Sequence, residues 1–263
     1  MKQVLIYNQI NTTNQGGKRF VDEELFNFFK AQIDWSLYLG WDSSDIILGT
    51  NFDFEYNGVK NYHLYDVCTY SGFNNFWYGA HELVSADVFG SIFDGEDFWL
   101  HDQDTWPLRY FNFPEFKGDI AGCEYQDTEH WNCGSIYCKS SSVAVLKYIV
   151  DLMRHYPNAP FSSDENWIAW CRFNKESQIR DRMSSINTRY NCGITHFDKR
   201  FKVATKPINV FSFRPDVEEN MEIIEKHLPN ILEGIAQEIR MKSDSAYKCS
   251  LLKDTKIKDK ECS

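Results

Sequence analysis

The sequence predicts an α/β fold: a mainly parallel central sheet flanked by helices, with further helices at the C-terminal end. Two observations lead there. Short apolar runs of strand length alternate with segments whose apolar residues recur at helical spacing through the first half of the chain. The 263 residues, 43% hydrophobic and 25% charged, are enough to bury a core without a metal or a disulfide. Disordered, collagen-like and coiled-coil chains are excluded by the same composition.

The elements follow in order. Val4 to Tyr7 reads as a buried strand, and the polar stretch 11–18 with Gly16-Gly17 as a loop. Val21, Leu25, Phe28 and Phe29 share one helical face, so a helix is expected over 21–32. Trp35 to Leu39 and Asp45 to Leu48 read as the next two strands, and Asn57-Gly58 is a turn signal. A helix over 78–93 leads into the short apolar strand Phe98 to His101. Lys117 to Tyr125 and Gly134 to Cys138 read as strands. Ser140 to His155 is amphipathic, opens on serines and is followed by Pro157, which marks a helix. Asp164 to Phe173 is a further helix candidate. Asp216 to Met241 is another, interrupted by Pro229. The domain reading is therefore an α/β domain over 1–215, a helical segment over 216–241 packed on it, and a frayed tail over 242–263.

The chain carries 28 basic and 38 acidic residues, a net charge of −10. That sign argues against a general binder of nucleic acid or anionic membrane. No apolar run approaches the length of a membrane span. The first apolar run stops at Asn8 and Gln9 without a cleavage pattern, so a cytoplasmic protein is expected. The eight cysteines are scattered, and Cys133 and Cys138 have no second pair at zinc-finger spacing. Buried structural thiols are the expectation. Aromatic residues make up 16% of the chain, enough for core packing and for stacking on sugar rings alike.

Ligands of parallel α/β sheets bind beyond the carboxyl ends of the strands. After the strand ending at His101 comes Asp102-Gln103-Asp104. In an extended segment, residues two apart face the same side, so Asp102 and Asp104 would converge at the sheet rim. Two neighbouring carboxylates repel unless a proton or cation sits between them. All-oxygen ligands suit Mn²⁺ or Mg²⁺, ions that keep positions open for phosphate oxygens. A solvated turn is what Asp-x-Asp usually is; its place after a central strand favours the metal.

With this segment in view, the chain resembles the GT-A glycosyltransferases over about residues 1–210. The resemblance implies an Asp-x-Asp, here Asp102-Gln103-Asp104, holding a divalent metal against the diphosphate of a nucleotide sugar. It implies that the first strand, ending in Tyr7, Asn8 and Gln9, meets the nucleotide. Trp131-Asn132-Cys133-Gly134 is similar to the family's Asn-x-Gly segment, which faces donor sugar or acceptor. Asp164-Glu165, within Phe161 to Trp167, resembles an acidic segment that begins a helix beside the reaction centre. Gly193 to Phe197 resembles the late His-aromatic segment of one group, where the histidine, here His196, completes the metal site. Thr205-Lys206-Pro207 resembles the Lys-Pro of glycogenin-like families, but stands further from His196 than their pattern allows. The residues before Asp102 are Leu and His where those families prefer Tyr-Leu. The subfamily, glycogenin-like or a small bacterial or viral type, stays open.

The resemblance implies a transferase moving a hexosyl or pentosyl group from a nucleotide-diphosphate sugar, UDP-sugar favoured, to a glycan or glycoconjugate hydroxyl. Asp164 and Glu165 are candidates for the base of an inverting reaction, and equally for capping the helix they begin. In a retaining reaction they would contact the donor sugar. His196 reads equally well as a ligand or as a histidine near a strand end. Asp66 and Asp87 are weaker candidates for sugar contacts, as is the 199–206 basic stretch for the diphosphate. One of Trp106, Trp131 and Trp167 is a candidate acceptor platform; core packing is the commoner role. The cluster Glu124, Asp127, Glu129 and His130 follows no ligand spacing. Two other readings remain: a metal-dependent phosphohydrolase or nuclease using the same acids, and a non-catalytic carbohydrate-binding protein.

Overall fold

The computed structural model describes residues 1–7, 22–50, 54–63, 95–102, 105–125, 130–155, 164–193, 204 and 207–212. Its centre is a seven-stranded sheet in the order β3-β2-β1-β4-β7-β6-β8. The strands are β1 (Lys2–Tyr7), β2 (Ile46–Thr50), β3 (Lys60–His63), β4 (Phe98–His101), β6 (Ile120–Glu124), β7 (Trp131–Cys138) and β8 (Met183–Ser185). β3, β2, β1 and β4 run parallel, and β8 runs parallel to β6. β7 is antiparallel to both its neighbours. A second sheet joins β5 (Thr105–Pro107), β10 (Val210–Ser212) and β9 (Cys192–Gly193), with β10 in the middle.

Strand alternation sorts the central residues into two cores. Leu5, Trp99 and Tyr137 face one side, with Trp41, Trp106, Val210 and Phe211 packed there. Val4, Ile6, Phe98, Leu100 and Ile136 face the other side, under α2 (Val143–His155) and α3 (Asp164–Phe173). Val145, Leu146, Ile149 and Met153 of α2 supply its buried stripe at intervals of one, three and four. Two-sided burial explains why β2 and β4 read as continuous apolar runs rather than alternating ones.

One expected strand is helix. Residues 35–39 are the last turns of α1 (Asp22–Leu39). The helix stops at Gly40, whose φ of +107° is open to glycine. There Trp41 N–H donates to the Ser36 carbonyl and Gly40 N–H to that of Leu37, each at 3.1 Å, the paired bonds of a Schellman motif. An apolar run cannot distinguish strand from helix by itself; the glycine after Leu39 was the available stop signal. The Asn57-Gly58 turn forms as expected, both residues at positive φ and Val59 N–H bonded to the Tyr56 carbonyl at 3.0 Å. The helices expected over 78–93 and 216–241, and the 242–263 tail, lie outside the described residues.

Cys123, Cys133, Cys138, Cys171 and Cys192 are buried thiols, as expected of them. Burial pushes the Cys171 thiol up to about 12, leaving it protonated and inert at neutral pH. Among the described residues no helix is long and apolar enough to cross a membrane.

Candidate active site

Asp102 follows β4 directly and is half-buried. Its N–H donates to the Gly134 carbonyl at 3.0 Å, and its carbonyl accepts from Thr105 N–H at 3.2 Å. Gln103 and Asp104, between these bonded residues, lie outside the described residues.

Buried side chains brace this connection from below. Gln32, on α1, donates from Nε2 to the Thr105 carbonyl at 2.9 Å and to the Asp102 carbonyl at 3.4 Å. His101 is wholly buried and stacks on Trp99, with ring centroids 4.0 Å apart. Its Nδ1 lies 3.1 Å from the Asp102 carbonyl, and its Nε2 2.7 Å from Gln3 Nε2. With Gln3 as donor, Nε2 accepts and Nδ1–H donates to Asp102. Burial holds this imidazole neutral, its pKa pulled down to about 3 against the opposing effect of the Asp102 and Thr105 carbonyls.

Asn132, Cys133 and Gly134 reach the same rim through an irregularity in β7. Along β6, Gly122 pairs with Ile136 but the next residue, Cys123, pairs with Asn132. Residues 133–135 are thus extra on the β7 side, and a bulge of this kind re-aims the strand. Against β4 the register of β7 is regular, His101 pairing with Ser135 and Asp102 N–H reaching the next carbonyl, that of Gly134. Gly134 is required there: a Cβ would lie 2.8 Å from Thr105 Oγ1 and 3.1 Å from Asn132 Oδ1. Thr105 Oγ1 is itself buried with no hydrogen-bond partner among the described residues. Gly122 serves the same bulge, since a Cβ on it would lie 2.5 Å from the Trp131 ring.

Glu165 approaches from the first turn of α3. Its Oε1 accepts from the Tyr125 hydroxyl at 3.0 Å and from Cys133 N–H at 3.4 Å. The Tyr125 oxygen in turn accepts from Asn132 Nδ2 at 2.6 Å. Asn132 Oδ1 accepts from Asn191 Nδ2 at 2.7 Å. One chain of hydrogen bonds therefore links α3, β7 and the residue before β9. Tyr125 and Asn191 were not singled out from the sequence, because their roles depend on contacts between distant segments.

The remaining sequence candidates divide clearly. Tyr7 ends β1, paired with Thr50, and Asp164 opens α3. Asn8, Gln9, Asp66, Asp87, Asp127, Glu129, His196 and the 199–203 stretch lie outside the described residues. Glu124 is hydrogen-bonded by Ser185. Trp106, Trp131 and Trp167 are 1%, 0% and 4% exposed, so none of them is a platform for a sugar. Each is drawn into the core by its large apolar area, with Trp131 Nε1 donating to Ser185 Oγ at 3.1 Å. Among the described residues no three His, Cys, Asp or Glu side chains gather as a metal site.

Solved structures share this architecture. The galactosyltransferase LgtC, crystallised with donor and acceptor sugar analogues, superposes with a TM-score of 0.52 at 9% identity, over 89% of this chain and 96% of LgtC. The bifunctional glycosyltransferase WbbM gives a TM-score of 0.58 at 11% identity over 96% of this chain, which spans about half (51%) of WbbM. The glycosyltransferase GlyE of Streptococcus pneumoniae gives 0.54 at 12% identity, covering 93% of this chain and 66% of GlyE. The chain has the GT-A fold. At these identities the likeness is one of fold. No protein-family model matches the chain, and no curated protein does. Within this GT-A fold the bulge of β7, Asp102 after β4 and the start of α3 share one rim of the sheet.

Proposed function

We propose that the protein is a metal-dependent glycosyltransferase. It moves a sugar from a nucleotide-diphosphate sugar, a UDP-sugar by preference, to a hydroxyl of a glycan or glycoconjugate. The observation that carries this reading is the convergence of Asp102, the Asn132–Gly134 bulge and Glu165 at one rim of a GT-A sheet.

The proposed metal set is Asp102, Asp104 and His196, two carboxylates and an imidazole, a donor set that suits Mn²⁺ or Mg²⁺. The described residues flanking two of them support the set. Thr105, next after Asp104, pairs with Ser212, and Ser212 pairs with Gly193, three residues before His196. Thr105 and Gly193 therefore stand two inter-strand spacings apart, about 10 Å, at the same end of the small sheet. A bound divalent metal supplies electrostatic stabilisation of the departing diphosphate.

The chain's own residues supply the rest. The first strand's end, Tyr7 to Gln9, takes the nucleotide. The bulge presents Asn132 to sugar hydroxyls. Glu165, oriented by Tyr125 and Cys133, meets the reacting sugars: as base toward the acceptor hydroxyl if configuration inverts, or as a partner of the donor sugar if it is retained.

The test is thermal unfolding with a panel of nucleotides and nucleotide sugars, with and without Mn²⁺. A ligand at 100 times its Kd adds about 2.7 kcal/mol, readable as a rise in Tm. A rise for one nucleoside diphosphate that requires Mn²⁺, and disappears in Asp102→Asn and Asp104→Asn, is expected. Cleavage of phosphodiesters without nucleotide-sugar binding would move the reading to a hydrolase.

A further inference from the structure

We propose that the protein carries a second ligand site, for an anionic saccharide, in a cavity that none of the rim residues named above lines. The cavity measures about 970 Å³. It lies between the 110–117 segment, which precedes β6, and the 184–190 segment, which includes the end of β8. Neither Asp102 nor Asn132, Gly134 or Glu165 lines it. Ligand pockets run to about 1,000 Å³, so the space admits more than one sugar ring.

Its charge is opposite to that of the chain. The net charge of the protein is −10, yet Lys117, Arg172 and Arg189 line the cavity against one carboxylate, Glu115. Among the described residues, none of the three cations forms an ion pair with a carboxylate. Among the described residues Arg172 Nε has no hydrogen-bond partner. Guanidinium groups match carboxylate and phosphate oxygens in geometry as well as charge.

The walls suit a ring. The Arg189 guanidinium lies 4.7 Å from the centre of the Tyr190 ring and donates from Nη2 to its hydroxyl at 2.8 Å, setting a cation beside an aromatic ring. Tyr110, 52% exposed, is one of two large hydrophobic side chains that stand out from the described surface. Aromatic faces stack on the apolar faces of sugars, while the exposed amide of Asn112 suits a hydroxyl. An acidic sugar and a phosphosugar share this chemistry, and the experiment distinguishes them.

The experiment is isothermal titration calorimetry on the full chain with trigalacturonate, glucose 6-phosphate and neutral maltotriose. Saturable binding of one anionic probe is expected, weakened by salt and at least tenfold weaker in the double variant Lys117→Gln, Arg172→Gln. Arg172→Lys, which keeps charge and stem packing, should bind with intermediate affinity and unfold at the wild-type Tm, which separates lost recognition from lost folding. Asp102→Asn should bind the probe as wild type does. Absence of binding by both anionic probes, or equal binding of maltotriose, would overturn the proposal. So would loss of binding in Asp102→Asn, by assigning the probe to the rim site. Mn²⁺-dependent nucleotide binding is read separately, so the failure of either reading is visible without the other.

Discussion

The Tyr125 hydroxyl donates to the Glu165 carboxylate at 3.0 Å while accepting from Asn132 Nδ2 at 2.6 Å. A tyrosine just past β6 thereby fixes the first-turn acid of α3 against the bulge of β7. Removing the hydroxyl separates two effects. Tyr125→Phe should cost about 0.5–1.5 kcal/mol of stability, the net worth of a neutral hydrogen bond, and more if Asn132 is left unsatisfied. Turnover should fall several-fold with donor affinity little changed, read as kcat against donor KM. Unchanged kcat would show that the orientation of Glu165 is not used in transfer.

Glu165→Gln keeps the acceptor oxygen for Tyr125 and removes the charge. If Glu165 is the base, kcat should fall by two orders of magnitude or more while the Tm holds. If it binds the donor sugar, KM for the donor should rise instead. The product's anomeric configuration, measured by NMR, must agree with whichever result appears.

Gln32, on α1, holds the Asp102 and Thr105 carbonyls beyond β4. Gln32→Leu leaves the Thr105 carbonyl without its 2.9 Å donor and should cost about 1–3 kcal/mol. It should also weaken Mn²⁺-dependent nucleotide binding, although Gln32 is buried. A lower Tm with nucleotide affinity intact would limit Gln32 to folding.

His101 makes stability acid-sensitive. Its folded pKa, about 3, lies below the ordinary value of 6.5, so the unfolded chain binds the proton more readily. Its contribution is complete above about pH 6.5 and is lost as pH falls toward 3, at about 1.4 kcal/mol per pH unit. His101→Asn should be less stable at pH 7 and flatter between pH 6 and 4 in urea melts. Parallel pH profiles would show that the imidazole stays neutral for no cost.

Gly134→Ala should cost about 1–3 kcal/mol by overpacking, because its Cβ meets Thr105 Oγ1 at 2.8 Å. Combining it with Thr105→Ala should recover part of the loss. Additive costs would mean that the strain lies elsewhere.

Much was legible in the sequence because it was local. The apolar run Phe98–Leu100 followed by acids identified a central strand and its rim. The stripe of α2 and the acidic start of α3 also needed only spacing. The strand expected at 35–39 failed because a short apolar run fits either element, and Gly40 decides which. β5, β8, β9 and β10 are two or three residues long, too short to carry a period.

The sequence by itself determined the α/β class, the position of Asp102 after a central strand, and the acids that begin α3. Tertiary structure alone decided that three tryptophans near the motifs are core, that β7 bulges at Cys133, and that Tyr125 joins Asn132 to Glu165. The reason is physical. Periodicity and capping are properties of neighbours along the chain, whereas a bulge, a buried hydrogen bond and a shared rim exist only once distant segments meet.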